Sequence, residues 1–539
     1  MKRHFWIILG LLVLLGSYCA NPIAPQGGPR DETPPQVVPE KSTTNYQTNF
    51  RPREIQLTFD EWVKLQDVAR QIIISPPLQG YDVRLKGKSV ILDLGERDTL
   101  RSNATYVIQF GEAVRDLTES NPAEDLRFVF STGPIIDSLE VQGQVVDAYT
   151  GEAVEDALVM LYDNLADTVV RTERPFYFAR TDEDGLFLIS NVREGNFKLF
   201  ALEDADANYR FNQATERIAF RPEPLPVSAD SMPPIQLRMF AEALPLQRTR
   251  IDTSAFGRLK VTYNQNPRPL LRWDSTDAAV ATAFDRDTFL LWHDAPEPWT
   301  ILLSTDSLYH DTLSLRAAEP ALAADRLPAL QLRDATSRPR KQLPGRSYAL
   351  DFNLPLRSLD TSLVQVLADT TLTPTEFTWE VDSVDQRRLL LKAPWREATP
   401  YQLLILPGAV TDWWGRFQPD SIQQSFTIEE RKRFGTLHVE ISGADSSMTY
   451  LVKLVDKNQQ VINTYSLNGV SGDRRSFSLL PPGDYHLEVI QDLNGNGRWD
   501  PGHYDSQRLP EPVRQRQLEQ LRANWELEAT VDLATLFLD

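Results

Sequence analysis

Two stretches of this 539-residue chain decide the fold: YVIQFGEAVRD at residues 106–116 and YQLLILPGAVTD at residues 401–412. Each begins with a tyrosine, continues with apolar residues, and reaches an aspartate 10 or 11 positions later. A phenylalanine, Phe130 or Phe426, follows each tyrosine after 24 or 25 positions. Short apolar runs separated by turn residues are typical of the strands of a β-sandwich. The matched spacing predicts two copies of one sandwich domain.

A second pair of similar segments alternates with the first pair. Gly195 and Gly483 are each followed by an aromatic residue two positions later and by an aspartate, Asp204 or Asp492, nine positions later. Strand-like runs surround both glycines, so the sequence predicts two copies of a second sandwich type. Residues 241–340 are less regular but contain four strand-like runs, which favours one more sandwich.

The first residues have the organisation of a secretory signal peptide. Two basic residues precede an apolar run over residues 5–15, which is shorter than the about 20 residues that a transmembrane helix requires. Cys19, the only cysteine of the chain, lies shortly after this run. The segment resembles a bacterial lipobox, although Tyr18 replaces the usual small residue. We therefore expect a signal peptide over residues 1–18 and lipidation of Cys19; an ordinary secreted protein with an incidental cysteine is the alternative.

The composition limits the partners and the means of stabilisation. The formal net charge is −19, which disfavours nucleic acid and anionic lipid and favours divalent cations. A single cysteine excludes any disulfide within the chain, so hydrophobic cores must stabilise the domains. Residues 19–36 are rich in proline and glycine and predict an extended tether before the first domain.

The two repeated segments resemble known domain families. Residues 106–116, with the closing FVFST at residues 128–132, resemble the SbsA-type bacterial Ig-like domain; the second pair resembles the carboxypeptidase-regulatory-like, or transthyretin-like, β-sandwich. We therefore predict an all-β fold, a tandem array of Ig-like and transthyretin-like β-sandwiches. The predicted domains are Ig-like at 37–133, carboxypeptidase-regulatory-like at 134–240, a sandwich at 241–340, a second Ig-like domain at 341–430 and a transthyretin-like domain at 431–539.

A loop near the C-terminus carries the pattern of oxygen ligands that calcium prefers. In DLNGNGRWD, residues 492–500, oxygen-bearing side chains occupy positions 1, 3, 5 and 9, and a glycine occupies position 6. This is the first part of an EF-hand-type loop, in which position 7 contributes its backbone carbonyl. Position 12 is His503 instead of a glutamate, and Asp505 is close enough in sequence to substitute for it. The predicted ligands of a Ca²⁺ ion are Asp492, Asn494, Asn496, Arg498, Asp500 and Asp505.

The alternative for this loop is a tight Asn-Gly hairpin that binds no metal. The repeat predicts a weaker counterpart at residues 204–212, where both glycines are lost and Tyr209 stands at position 6. Left-handed backbone costs a residue other than glycine about 1–2 kcal/mol, so weaker metal binding is expected there; a turn capped by acidic residues is the alternative. The weaker ligands are Asp204, Asp206, Asn208 and Asn212.

The order of domains resembles that of multidomain Ig-like lipoproteins of Bacteroidota. The sequence contains no HExxH, GxSxG or P-loop motif. The resemblance implies a non-enzymatic cell-envelope lipoprotein, a structural or protein-interaction module and accessory subunit of an outer-membrane protein complex. It would be held in outer-membrane lipid by its acyl group, on either membrane face, with an envelope protein as partner. A glycan-binding or adhesion protein is the alternative, and a hydrolase is the least favoured third. Trp413 and Trp414 suit an exposed contact surface for glycan or protein, but the favoured interpretation places one of them in a core and the other at a strand edge.

Overall fold

Short strands make up most of the regular structure in the computed structural model of the chain. The structure describes residues 32–78, 80–95, 100–229, 233–275, 280–305, 310–318, 326–333 and 340–538. The predicted signal peptide, Cys19 and most of the predicted tether lie outside the described residues. The chain divides into two compact units, Met1–Ala241 with Tyr504–Gln507 and Glu242–His503 with Arg508–Asp539.

The first unit begins with a domain of eight short strands. They are β1 (Glu54–Thr58), β2 (Val63–Leu65), β3 (Ile73–Ser75), β4 (Asp82–Lys86), β5 (Ser89–Asp93), β6 (Thr105–Gln109), β7 (Val114–Asp116) and β8 (Arg127–Ser131), with helix α1 (Val68–Gln71) and a 3₁₀ turn at Pro39–Lys41. Antiparallel pairing gives three sheets with the orders β1-β5-β4, β3-β6-β8 and β2-β7. The central strands β5 and β6 are buried along almost their whole length.

A second set of strands completes the first unit. They are β9 (Leu139–Asp147), β10 (Leu158–Tyr162), β11 (Tyr177–Arg180), β12 (Leu186–Val192), β13 (Gly195–Leu202), β14 (Arg217–Phe220), β15 (Leu225–Val227) and β16 (Ile235–Ala241), with helix α2 (Val169–Thr172). Their order is β11-β10-β13-β14-β16-β9-β12, with β15 beside β13. Strand β16 pairs parallel to β9. One hydrophobic cluster runs from Phe50 to Met239, so both domains of this unit share a continuous core.

The second unit begins with a sandwich of two antiparallel sheets. Its strands are β17 (Arg248–Asp252), β18 (Arg258–Tyr263), β19 (Arg272–Ser275), β20 (Val280–Asp285), β21 (Thr288–His293), β22 (Trp299–Ser304) and β23 (His310–Leu315). The sheet orders are β17-β18-β21-β20 and β19-β22-β23. Apolar residues of both sheets, including Leu259 and Ile301, pack into one core between them.

Ten strands form the next domain. They are β24 (Arg340–Gln342), β25 (Tyr348–Asp351), β26 (Leu356–Leu359), β27 (Val364–Ala368), β28 (Thr373–Pro374), β29 (Thr378–Val381), β30 (Arg388–Lys392), β31 (Pro400–Ile405), β32 (Val410–Asp412) and β33 (Ile422–Ile428), with a 3₁₀ turn at Thr361–Leu363. The sheet orders are β24-β33-β31-β27-β28, β25-β30-β29 and β26-β32. Its core continues onto Ala281 and Trp292 of the preceding sandwich.

The chain ends in a domain of two sheets. Its strands are β34 (Gly435–Ser442), β35 (Thr449–Asp456), β36 (Val461–Asn468), β37 (Asp473–Leu480), β38 (Tyr485–Asp492), β39 (Val513–Gln517) and β40 (Glu526–Asp532), with a 3₁₀ turn at Arg431–Arg433 and helix α3 (Leu533–Leu536). The sheet orders are β37-β34-β40 and β36-β35-β38-β39. Strand β40 pairs parallel to β34.

The sheet orders repeat along the chain. The orders β1-β5-β4, β3-β6-β8 and β2-β7 recur as β25-β30-β29, β27-β31-β33 and β26-β32. Likewise, β12-β9-β16 and β11-β10-β13-β14 recur as β37-β34-β40 and β36-β35-β38-β39, each with one parallel pair. The predicted all-β fold class is confirmed. Among the described residues, no helix is long and apolar enough to cross a bilayer.

The tyrosines that open the two quoted stretches have the same role. The hydroxyl of Tyr106 accepts a hydrogen bond from the backbone N–H of Arg101 at 2.8 Å, and that of Tyr401 accepts one from Arg396 at 2.9 Å. Each ring stacks on the phenylalanine of the closing strand, with centroid distances of 5.1 and 5.5 Å. The spacing seen in the sequence therefore reflects one aromatic pair at the centre of each sandwich.

The aspartates that end these stretches are buried and hold turns. Asp116 Oδ1 accepts the backbone N–H groups of residues 118, 119 and 120, and its Oδ2 accepts that of Asn121 at 2.8 Å. Asp412 Oδ1 accepts two backbone N–H groups, from Trp414 at 3.0 Å and from Arg416 at 2.9 Å. Burial raises the pKa of Asp116, but its four backbone donors favour the charged form and hold the net pKa below the ordinary value.

Replacing the buried carboxylate tests this role. We expect Asp116→Ala to lower the free energy of unfolding by about 2 kcal/mol at pH 7, because it leaves buried N–H groups without an acceptor. Since the folded-state pKa is lowered, the difference from wild type should be complete above about pH 5 and shrink as pH falls below about 4. Urea unfolding followed by circular dichroism measures it.

Glu124→Ala is the matched control, because Glu124 is exposed in the same domain. Surface substitutions of this kind change stability by about 0.5 kcal/mol or less. Equal urea midpoints for Asp116→Ala and wild type at pH 7 would contradict the assigned role.

Candidate functional site

The loop at residues 492–500 follows β38 and is organised by its first residue. The buried Asp492 accepts the backbone N–H of Asn496 on Oδ1 at 3.0 Å and that of Gly497 on Oδ2 at 2.8 Å. The backbone at Gly495 and Gly497 has φ of +71° and +75°, the left-handed region that glycine adopts without strain. The loop thus has the tight turn that its glycines predict.

Asp500, at position 9, is bonded by other side chains of the loop. Its Oδ2 accepts from the side-chain amides of Asn494 and Asn496, the latter at 2.7 Å. Its Oδ1 accepts from Arg498 Nε at 3.2 Å. Both amides therefore direct nitrogen toward the carboxylate. Because Ca²⁺ coordinates oxygen, a bound ion requires both amides to turn over.

A residue outside the predicted set closes this loop. The buried Glu511 accepts the backbone N–H of Leu493 on Oε1 at 2.8 Å and that of Asp500 on Oε2 at 2.9 Å. Burial raises the pKa of Glu511; the two N–H donors oppose this effect, while nearby Asp500 and Asp492 add to it. The loop is therefore tied to the segment that leads into β39.

Asp505, predicted to substitute for the missing glutamate, has a different place. It belongs to the first unit, where its Oδ1 accepts from Arg171 Nη2 at 3.0 Å. The structure thus replaces Asp505 by Glu511 as the residue that closes the loop. His503, at position 12, forms backbone hydrogen bonds with Arg508.

The counterpart loop at residues 204–212 has the same backbone hydrogen bonds. Asp204 accepts the backbone N–H of Asn208 on Oδ1 at 3.2 Å and that of Tyr209 on Oδ2 at 2.7 Å. The buried Glu216 corresponds to Glu511, because its Oε2 accepts the backbone N–H at position 9, that of Asn212, at 3.0 Å. The two loops are therefore structural equivalents.

The first loop adopts this conformation without glycine. Ala207 and Tyr209 have φ of +57° and +65°, the left-handed region that the two glycines occupy in the other loop. Tyr209 gains contacts that offset this strain, since its ring meets Phe178 edge-on at 5.1 Å and lies below the Arg174 guanidinium at 5.5 Å.

Three carboxylates meet beside the first loop. Oxygens of Asp204, Asp206 and Glu216 all lie within 4.8 Å of one another, the one such grouping of three acidic, histidine or cysteine ligands in the part of the chain that the structure describes. Burial raises the pKa of Asp204; two backbone donors oppose this effect, and the neighbouring Asp206 adds to it. The loop at residues 204–212, which lacks glycine at its left-handed positions, therefore has three carboxylates close together.

An open cavity of about 900 Å³ lies in the second unit, next to the C-terminal loop. Trp499 lines one wall, and its orientation is fixed because Nε1 donates to the backbone oxygen of Glu511 at 2.9 Å. Polar side chains that also line the cavity are Gln265, Asn266, Thr305, Arg498, Asp500, His503 and Arg508. The loop therefore shapes a surface that presents an aromatic ring beside hydrogen-bond donors.

The tryptophan pair at residues 413 and 414 is largely enclosed. Trp414 is buried in the core of the second Ig-like repeat, and Trp413 packs against the same core. Trp414 therefore has the core position that the favoured interpretation of the sequence gives to one of the two tryptophans. The backbone N–H of Trp414 belongs to the turn held by Asp412.

A histidine on the last domain has contacts that superficially match a hydrolytic triad. His438 Nδ1 lies 2.7 Å from Ser476 Oγ, and Nε2 lies 3.8 Å from Glu526 Oε2. The three residues belong to neighbouring strands of one sheet, and the Glu526 side chain is 81% exposed. In a catalytic triad the acid is buried and orients the histidine. These contacts have the character of cross-strand pairs on an open sheet face.

Comparisons with known proteins assign the first domain. Residues 31–132 match the sequence profile of the Bacterial Ig-like domain, and these residues form the sandwich of β1 to β8. The first domain is therefore a bacterial Ig-like domain. No curated protein is similar enough to the chain to match it.

The chain matches solved structures at low sequence identity and with low TM-scores. Native alpha-2-macroglobulin from Escherichia coli, domains MG0-NIE-MG1, is 11% identical, covering 37% of this chain and 93% of that one, with a TM-score of 0.19. Surface layer protein SbsC, domains 1–6, is 10% identical over 83% and 65%, with a TM-score of 0.14. The N-terminal eight Ig domains of Down Syndrome Cell Adhesion Molecule are 10% identical, covering 91% of this chain and 69% of that one, with a TM-score of 0.15. Such low TM-scores support no functional argument.

The backbone of the C-terminal loop gives a direct test of its strain. At Gly497 an added Cβ meets no atom within 4 Å, so any cost of Gly497→Ala comes from its positive φ alone. We expect this variant to be less stable than wild type by about 1 kcal/mol, measured by urea unfolding.

Gly483→Ala is the matched control, because its Cβ is also free of contacts and its φ is not positive. It should be neutral or more stable by up to about 1 kcal/mol. If both alanine variants changed stability equally, the left-handed turn would not be the feature that requires glycine.

Proposed function

We propose that this chain is a non-enzymatic lipoprotein of the cell envelope, held in outer-membrane lipid through an acyl group on Cys19. It acts as a structural or protein-interaction module, an accessory subunit of an outer-membrane protein complex. The observation that carries the proposal is the repeated array of β-sandwiches, in which two sheet topologies alternate along the chain. The loops of such sandwiches are held by a rigid scaffold and are common binding surfaces.

The use of the buried acids supports the non-enzymatic part of the proposal. Asp116, Glu216 and Glu511 each direct their oxygens to backbone N–H groups of a nearby turn. A general acid or base must reach a reacting group within hydrogen-bond distance. Carboxylates engaged in this way stabilise the fold and are not presented to a substrate.

A glycan-binding or adhesion function is the second candidate, favoured by the open cavity beside Trp499. An indole ring next to amide and guanidinium groups suits a sugar, because the ring takes the apolar face and the polar groups take the hydroxyls. The ligand would be an oligosaccharide of the cell surface.

Lipidation and partner binding are tested together. Cells fed a clickable fatty acid should label the wild-type protein, whereas Cys19→Ala should lose the label and leave the membrane fraction. Asn21→Ala, two residues further on, should keep both. Purification of the labelled protein from detergent-solubilised outer membranes should then recover one membrane protein in stoichiometric amount.

The outcomes separate the proposals. Wild type without label, or Cys19→Ala still in the membrane fraction, would contradict the anchor. Labelled protein recovered alone would contradict the accessory-subunit role. Retention on a glycan array that is lost in Trp499→Ala would instead support the second candidate.

We further propose that Ca²⁺ binds the two equivalent loops. In each loop the ion would take the predicted oxygens, with Glu216 in the first and Glu511 in the second added to the set. Asp505 is not among them. The first loop offers three carboxylates whose mutual repulsion a divalent cation would relieve.

Calcium titration with thermal melting tests this proposal. A Ca²⁺ concentration ten times the dissociation constant of a loop should stabilise the domain that contains that loop by about 1.4 kcal/mol and raise its melting temperature. Asp204→Asn should reduce the rise from the first loop, and Asp492→Asn that from the second. Asp484→Asn, an exposed residue just before β38 and so at the far end of that strand from the loop, should leave the rise unchanged. An unchanged melting temperature at millimolar Ca²⁺ would exclude both sites.

A further inference from the structure

Two large apolar side chains project together from one end of the first domain. Trp62 and Leu117 are 56% and 54% exposed. They continue the antiparallel register of β2 and β7, in which Val63 lies opposite Asp116, and the backbone N–H of Leu117 donates to the backbone oxygen of Trp62 at 2.9 Å. Residues directly opposite each other in an antiparallel pair point to the same face. The indole and the leucine side chain therefore lie side by side on the surface of this domain.

The chain enters the first domain at this end. The backbone oxygen of Gln36 accepts the backbone N–H of Asp60 at 3.0 Å, and the backbone N–H of Gln36 donates to Asp60 Oδ1 at 2.9 Å. Val37 and Phe59 form an antiparallel bridge beside them. Because the two segments are antiparallel, the residues before Gln36 run toward Trp62, which follows Asp60 by two positions. The predicted tether therefore reaches the domain beside the exposed pair.

Strand β1 runs toward this end from the end at which the chain leaves the domain. Just before β1, Arg51 Nη1 donates to the backbone oxygen of Thr132 at 2.9 Å, and the residues after Thr132 lead into the second domain. Asp60 and Trp62 come just after β1. The five residues of the strand span about 17 Å. The exposed pair and the exit to the second domain are therefore at opposite ends of the first domain.

The charged groups around the pair suit a surface that carries both signs of charge. Lys64 Nζ donates to the backbone oxygen of Leu117 at 3.3 Å and to Ser120 Oγ at 2.7 Å, and Lys88 Nζ donates to the backbone oxygen of Asp60. Carboxylates on the same loops are those of Asp60, Glu61 and Glu119. Lysine covers apolar surface with its stem while its amine reaches a phosphate. A zwitterionic headgroup also offers a cation to the carboxylates, whereas an added anionic headgroup repels them.

We propose that Trp62 and Leu117 enter the headgroup region of a bilayer of zwitterionic lipid and hold this end of the first domain against the membrane. Tryptophan and leucine are residues that interfacial anchors insert into lipid, and an indole suits the boundary between apolar and polar regions. The inference rests on the proposed acyl anchor at Cys19 and adds a second lipid contact to it. From Cys19 to Glu32 the chain spans at most about 45 Å. A tether of that length gives an effective concentration of about millimolar at the membrane, where even a weak contact forms.

Hydroxyl-radical footprinting with mass spectrometry tests the proposal, because it measures the exposure of individual side chains. The chain from Cys19 onward is coupled through the Cys19 thiol to a maleimide lipid in phosphatidylcholine vesicles, so the test does not require the native acyl group. Trp62 and Leu117 should be oxidised at least about fivefold more slowly than in the uncoupled chain, because the bilayer removes them from water. Trp525 of the last domain, which is 57% exposed, is the matched control and should be oxidised at an unchanged rate.

A pair of variants separates lipid contact from a general effect of coupling. Trp62→Glu should return Leu117 to the oxidation rate of the uncoupled chain, because entry into lipid would desolvate the new carboxylate. Trp525→Glu should leave Leu117 protected. Circular dichroism and melting must match wild type for both variants, so that loss of protection is not loss of the fold.

The outcomes distinguish this contact from the anchor itself. Equal oxidation of Trp62 with and without vesicles would overturn the lipid contact, and so would protection of Leu117 that survives Trp62→Glu. Protection that requires anionic lipid would also overturn it, and protection that requires added outer-membrane protein would assign the pair to a protein partner instead. Absence of the fatty-acid label in cells contradicts the acyl anchor, whereas absence of protection in the coupled vesicles contradicts only this second contact.

Discussion

A buried carboxylate that accepts backbone N–H groups is the interaction on which both repeated domains depend. A short sandwich leaves many turn N–H groups away from water, and each requires a partner. Asp116 satisfies four of them in the first Ig-like domain, and Asp412 has the equivalent place in its repeat. Glu216 and Glu511 do the same in the second domain type. With Cys19 as its only cysteine, the chain uses such acids where other small domains use disulfides.

The two equivalent loops balance backbone strain and charge differently. The loop at residues 492–500 has glycine at both left-handed positions, and its carboxylate at position 9 accepts hydrogen bonds from two side-chain amides and pairs with a guanidinium. The loop at residues 204–212 accepts strain at Ala207 and Tyr209 and gathers three carboxylates. Both loops therefore share the same backbone hydrogen bonds, but they differ in the charged groups at their centres.

Sequence reasoning succeeded where the signal is periodic and local. The tyrosine, phenylalanine and aspartate of each Ig-like repeat were visible because an aromatic pair and a turn fix their spacing. Glu511 was missed because it meets Leu493 across 18 positions, a separation set by the path of the chain and not by the loop itself. A comparison of the two repeats could have identified Glu511, because Glu216 and Glu511 each lie within two residues of the strand that follows their loop. Closeness in sequence alone suggests Asp505 as the ligand at position 12, but in the fold Asp505 pairs with Arg171 instead.

Packing between neighbouring sandwiches determines which surfaces remain for other molecules. In the first unit, Phe178 of the second domain donates its backbone N–H to Ser75 Oγ of the Ig-like domain at 3.2 Å. The guanidinium groups of Arg101 and Arg193, one from each domain, both lie near the Phe176 ring, at 4.5 and 5.1 Å. A continuous core and such contacts hold the two domains together, because separating them would expose apolar surface. The faces between these two domains are therefore buried, and loops and outer strands provide the accessible surface.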